Sequence, residues 1–124
     1  MGSHKNLEKF PIHVHKLCKR GIDIKAQMSE PGAHLVHMAL GVAGESGELV
    51  DAVKKYAIYQ KELDVENILE ELGDLLFYIQ GIANRFGVTL DSFAERNIQK
   101  LEVRYAAGTY SDAAAQKRAD KATD

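Results

Sequence analysis

A single cysteine, Cys18, stands in 124 residues, which excludes an intramolecular disulfide and a cysteine-rich zinc site. A lone thiol of this kind reads most simply as a core residue in a reducing compartment. No apolar run approaches the roughly 18 residues that a membrane-spanning helix needs. The N-terminus has no signal-peptide pattern, and Met1-Gly2-Ser3-His4 reads as an expression-tag remnant, so His4 is set aside from the chemistry. These absences point to a cytoplasmic protein with no membrane partner. Excess positive charge is missing too: 16 Lys and Arg against 18 Asp and Glu leave a formal net charge of −2. That argues against a nucleic-acid partner bound through a broad basic surface.

What is present is ordinary globular composition, 45% apolar and 27% charged, at a length that fits one domain with its own core. The apolar spacing predicts helices throughout and no strand. A short amphipathic helix is expected around residues 10–20, ended by Gly21, with Ser29-Glu30-Pro31-Gly32 as a loop. A second helix runs from Ala33 to about Tyr59. A third starts at the N-cap Asp64 and stops at Gly87 after about Phe86, and Thr89 caps a fourth. The tail from Ser111 to Asp124 alternates Ala with charges and reads as mobile or partly helical. Residues 5–106 therefore form one all-α, four-helix domain, with 107–124 as its tail.

Two acidic motifs dominate the chain: Gly44-Glu45-Ser46-Gly47-Glu48 and Glu70-Glu71-Leu72-Gly73-Asp74. Residues three apart share a helix face, so Glu45 pairs with Glu48 and Glu71 with Asp74. Each pair repels itself unless a cation sits between the carboxylates. Two such helices packed antiparallel would aim four carboxylates at one spot. Four hard oxygens suit Mg²⁺ or Mn²⁺, and those ions suit a phosphate substrate. A di-iron bundle would need Glu-x-x-His, and no acidic residue here has His three positions later. Gly41, Gly44 and Gly47 make a smooth stripe along the same helix. It serves close helix packing, room for a ligand shell beside Glu45 and Glu48, or both. Neither a dinucleotide-binding GxGxxG after a strand nor a GxxxxGK loop is present.

Cations and polar groups supply a second layer of candidates. Lys54 and Lys55 follow the first acidic pair, Lys55 two turns beyond Glu48. On the fourth helix Asn97, Lys100 and Arg104 lie three and four apart and can line a phosphate path. For each of these the alternative is an ordinary solvated side chain. His34 and His37 stand three turns before Glu45 and Glu48; they contact a base or sugar, or are polar residues at a subunit contact.

With these residues assembled, the sequence resembles the MazG-like all-α nucleoside triphosphate pyrophosphohydrolases of short bacterial and phage type. The resemblance is carried by Glu45-Ser-Gly-Glu48, Glu71-Leu-Gly-Asp74 and Asn97-Ile-Gln-Lys100-Leu-Glu-Val-Arg104-Tyr, within roughly residues 33–106. The family motif often opens with two adjacent glutamates, and the first of them is Gly44 here. The resemblance implies a Mg²⁺-dependent cleavage of a nucleoside triphosphate to monophosphate and pyrophosphate, by water attack at the α-phosphorus. It implies metal ligation by Glu45, Glu48, Glu71 and Asp74. Glu70 is a further carboxylate that supports a ligand, orients water or is merely exposed. His37, Lys54, Lys55, Asn97, Lys100 and Arg104 are the substrate-binding candidates. The resemblance also implies a homo-oligomer, a dimer or tetramer, with the helical bundle packed against a partner subunit. Two rival readings stand beside it: a related hydrolase acting on dUTP or dCTP, and a non-catalytic helical adaptor whose acidic pairs are plain surface. Base and sugar preference is not written in the chain.

Overall fold

A computed structural model describes residues 4–121, with side chains from Lys5 onward; the tag-like Met1–Ser3 and the tail residues 122–124 lie outside the described residues. Among the described residues there are six α-helices and no strand: α1 His4–Leu17, α2 Gly21–Gln27, α3 Glu30–Ala57, α4 Val65–Phe86, α5 Leu90–Arg104 and α6 Asp112–Lys117. A 3₁₀ turn, Ala119–Lys121, follows α6. The expectation of an all-helical chain holds, whereas the expected count of four helices is corrected. The chain divides within α3 into two compact units, one ending at His34 and the other beginning at Leu35.

In the first unit the helix expected around residues 10–20 is α1, which begins earlier and ends at Leu17, and a second helix, α2, follows it. The Cys18 amide still bonds Val14 O at 2.8 Å, and then Arg20 turns extended (ψ 137°) as the residue preceding α2. Gly21 opens α2 rather than ending α1. Pro11 sits inside α1, where it cannot donate to the carbonyl one turn back and tolerates the helix at a cost to its regularity. Cys18 is exposed, which corrects its assignment to the core: it falls in the break after α1, where nothing covers it. The loop expected at Ser29–Gly32 is a helix start. Ser29 Oγ accepts the Gly32 amide at 3.1 Å, and Pro31 lies in the first turn, where its missing N–H has no intrahelical acceptor to lose.

The second unit is organised by α3 and α4. Asp64 caps α4 by accepting the Asn67 amide at 3.0 Å, and Gly87 ends it in the left-handed conformation (φ 64°) that glycine reaches without a Cβ clash. Thr89 then caps α5, accepting the Ser92 amide at 3.2 Å. The α3–α4 seam is built from reciprocal small–large pairs. The ring of Tyr78 fills the space a Cβ on Gly41 would need, and the Met38 side chain does the same against Gly81. Moving forward along α3 from Met38 to Gly41 thus moves back along α4 from Gly81 to Tyr78, so the helices are antiparallel. Met38, Ala52 and Ala83 are the buried apolar residues of this unit among the described residues. Most other large apolar side chains stay open, including Leu69, Leu72, Leu76 and Phe77 on α4.

The tail returns onto α5. Ser111 caps α6 by accepting the Ala114 amide at 3.1 Å, and Gly108 (φ 82°) and Arg118 (φ 50°) make the two left-handed turns that reverse the chain. Arg104 closes this return with Nε and Nη2 donating to the two carboxylate oxygens of Asp120 at 2.7 and 3.1 Å. Asp120 is held below the usual carboxylate range, first by that hydrogen bond and then by the charge of Arg104, against the opposing effect of burial.

Candidate metal centre

Continuing the register of Gly41 against Tyr78 one turn along the seam brings Glu45 level with Asp74 and Glu48 level with Glu71. At that point Glu45, Glu71 and Asp74 each offer a carboxylate oxygen, all within 4.8 Å of one another. Glu45 and Glu71 are half-buried, and Asp74 is exposed. Glu48 is exposed and lies outside this set, yet near enough for its charge to act on Glu71. The glycines neighbouring these carboxylates in sequence are exposed, and a Cβ on Gly44, Gly47 or Gly73 would meet nothing within 4 Å. The glycine stripe therefore divides. Gly41 serves helix packing, and Gly44 and Gly47 border open space beside the carboxylates.

The cluster carries its own electrostatic signature. The Glu71 carboxyl is pushed from its usual 4.5 up to about 7, first by a hydrogen bond with Glu45. Desolvation follows, then repulsion from Glu45, Asp74 and Glu48. Below that value Glu71 keeps its proton beside Glu45, which eases the repulsion within the cluster. Its donors are hard carboxylate oxygens, with no imidazole or thiolate in the set. That is the chemistry of Mg²⁺ or Mn²⁺ rather than zinc, so the residues fit such an ion. Ser46, in the middle of the first motif, donates its hydroxyl to Val42 O at 2.7 Å and is occupied within its own helix.

The remaining candidates are placed less uniformly. Lys54 and Lys55 both reach Asp51, at 3.7 and 3.1 Å, and Lys54 also lies 5.4 Å from the centre of the Tyr59 ring. Asp51 is held below the usual carboxylate range, chiefly by its hydrogen bond with Lys55. His37 packs edge-on to Tyr78 with ring centres 6.3 Å apart, and His34 leaves Nδ1 buried with no hydrogen-bond partner. Glu70 is exposed beside Glu71 on α4. Asn97 and Lys100 are exposed on α5, and the Arg104 guanidinium is taken up by Asp120 rather than left open to a phosphate.

Three contact partners of the candidate residues differ in how far the sequence announces them. Asp51 had a signal, since it precedes Lys54 and Lys55 by three and four residues, the spacing of helical ion pairs. Tyr78 needed the helix register, and Asp120 needed the fold of the tail.

An antiparallel helix pair with an all-carboxylate cluster across its seam defines an all-helical protein with a candidate site for a cation. The chain belongs to the MazG nucleotide pyrophosphohydrolase domain family, which it matches over residues 35–108, from α3 to just beyond α5. It is also similar to the "Gene 37 protein" of Mycobacterium phage L5, at 34% identity over 76 residues. That similarity takes in 56% of this chain and 65% of the phage protein. No solved structure matches the chain. None of its described helices is long and apolar enough to cross a membrane.

Proposed function

We propose that the protein is a Mg²⁺-dependent nucleoside triphosphate pyrophosphohydrolase, cleaving a (d)NTP to the monophosphate and pyrophosphate in control of the nucleotide pool of the cytoplasm. The observation that carries this reading is the meeting of Glu45, Glu71 and Asp74 across one seam, in a chain of the MazG family. These three residues, with Glu48 turning in beside them, would hold the ion, Mn²⁺ being the alternative. When bound, the ion supplies charge neutralisation at the phosphates and a water acidic enough to attack the α-phosphorus.

The chain's own residues do the rest. Glu71 gives up the proton it shares with Glu45 as the cluster becomes a ligand set. Glu70, the exposed neighbour of Glu71 on α4, would orient a water or accept its proton. Lys54 and Lys55 sit on Asp51 in exposed ion pairs, which are each worth only about 0–1 kcal/mol and are readily exchanged for a phosphate. His37 lies two turns along α3 from Glu45, about 12 Å at 1.5 Å per residue, and is our candidate for contact with the base or sugar. Asn97, Lys100 and Arg104 complete the phosphate path, Arg104 once it is released from Asp120.

A homo-oligomer, dimer or tetramer, belongs to the same reading. Val65, Leu69, Leu72 and Leu76 form a stripe on α4 away from the carboxylates, and their exposures of 52, 60, 45 and 50% leave it uncovered. Apolar stripes of this kind mark protein contacts. Incubating the protein with each common NTP and dNTP, under Mg²⁺, Mn²⁺ or chelator, tests the reaction. Metal-dependent monophosphate and pyrophosphate support it. Diphosphate with orthophosphate would retain the cluster and refute cleavage between the α- and β-phosphates.

A further inference from the structure

Outside the carboxylate seam, two exposed helix faces carry opposite charge in the same pattern. On α1, Lys5, Lys9, Ile12 and Lys16 follow one another at spacings of four, three and four; on α5, Asp91, Glu95, Ile98 and Glu102 do so at the same spacings. Such spacing places each set in a narrow stripe on one side of its helix. Every one of the eight residues is exposed. The α5 stripe lines an open groove of about 610 Å³ together with Ala94 and Gln99, and Lys9, Ile12, His13 and Lys16 line a smaller one of about 220 Å³ on α1.

We propose that α1 of one copy docks on the acidic face of α5 of a second copy, parallel and in register. Lys5 then meets Asp91, Lys9 meets Glu95, Ile12 meets Ile98 and Lys16 meets Glu102. The charges select this pairing. Two α1 helices repel each other, as do two α5 faces, so only the unlike faces attract. The central isoleucine pair contributes the apolar contact, and the flanking ion pairs set partner and register. Nothing in this contact depends on the hydrolase reading, and it stands even for a chain without turnover.

A cross-linking experiment tests it directly. Ile12→Cys is placed in one preparation and Ile98→Cys in another, each with the exposed Cys18 changed to Ser and one chain lengthened by a tag so that products separate by size. Mild oxidation of the full-length chains, mixed at low salt, is expected to give the heterodimer linked between positions 12 and 98 well above either homodimer. Adding Lys9→Glu and Lys16→Glu to the chain that carries Ile12→Cys should slow its formation about tenfold, the scale on which steering charges act. Adding Glu95→Lys and Glu102→Lys to the chain that carries Ile98→Cys should then restore it. Overturning results are a statistical mixture of the three products, no heterodimer at all, or a yield indifferent to the charge reversals. A contact of α1 with α5 inside one chain cannot link two chains and would appear as the second of these.

Discussion

The two ends of the α3–α4 seam use glycine for opposite purposes. At one end Gly41 and Gly81 are filled by the side chains of Tyr78 and Met38, so the backbones are drawn together and fixed in register. At the other end carboxylates that repel one another gather, and the glycines next to them in sequence, Gly44, Gly47 and Gly73, are exposed with nothing within 4 Å of a Cβ. A smooth helix surface is thus neither a packing device nor a binding device by itself. What stands across from it decides.

The largest expected effect falls on the open end. Asp74→Asn or Glu71→Gln removes one oxygen ligand and should lower metal-dependent turnover on the order of a thousandfold, since an ion's stabilisation of developing charge is worth several kcal/mol. The melting curve of the ion-free protein should not suffer, because each change relieves repulsion. Turnover near the starting rate in either variant would remove the cluster from the reaction. At the closed end Gly41→Val should destabilise the fold by about 1–3 kcal/mol, as overpacking does, read as a lower denaturation midpoint. A midpoint unchanged by this variant would mean the Tyr78 contact is dispensable.

Acidity offers a third way to separate the ends. The Glu71 carboxyl lies at about 7 in the folded chain against 4.5 ordinarily, so between those values the folded state keeps a proton that the unfolded state has lost. Stability without metal should therefore fall as pH rises through that window and level off above it. A divalent cation held by these carboxylates would displace the same proton, so the stabilising effect of Mg²⁺ should grow over the same window. Melting curves with Mg²⁺ and with chelator, at stepped pH, read both trends; ion-free stability that climbs across the window would contradict the shared proton. Asp51 and Asp120, held low by their cationic partners, act only at more acidic pH. The smallest effect is a gain. Gly44→Ala should stabilise the ion-free chain by up to about 1 kcal/mol, because it replaces a flexible helix-interior glycine where a Cβ meets open space.

Much of this arrangement was legible because it is local. Asp64, Gly87 and Thr89 bracket α4 and start α5 through contacts within a few residues, and each acidic pair sits on its helix face by spacing alone. The errors arose where local signals were double-edged. Gly21 can end a helix or begin one, and Ser29-Glu30-Pro31-Gly32 is at once a turn sequence and a capped first turn with proline where its missing N–H matters little. That Glu48 stands outside the three closest carboxylates is not legible in spacing, which fixes a face but not a side-chain rotamer. The pairing of Arg104 with Asp120 has no signal in the sequence, because Asp120 lies in a tail of alanines and charges with no periodicity to announce the contact.

The paired knobs at Gly41 and Gly81 have a consequence for how such a protein can change over time. Two separate pins define the alignment of the helices, and neither belongs to the acidic cluster. Slipping the seam by one step would let the Tyr78 ring settle on Gly44, but it would pull Met38 off Gly81, so a single pin could drift where two cannot. Chemistry and alignment are therefore separable: the carboxylates can be exchanged, lost or rearranged without moving the frame that holds them level.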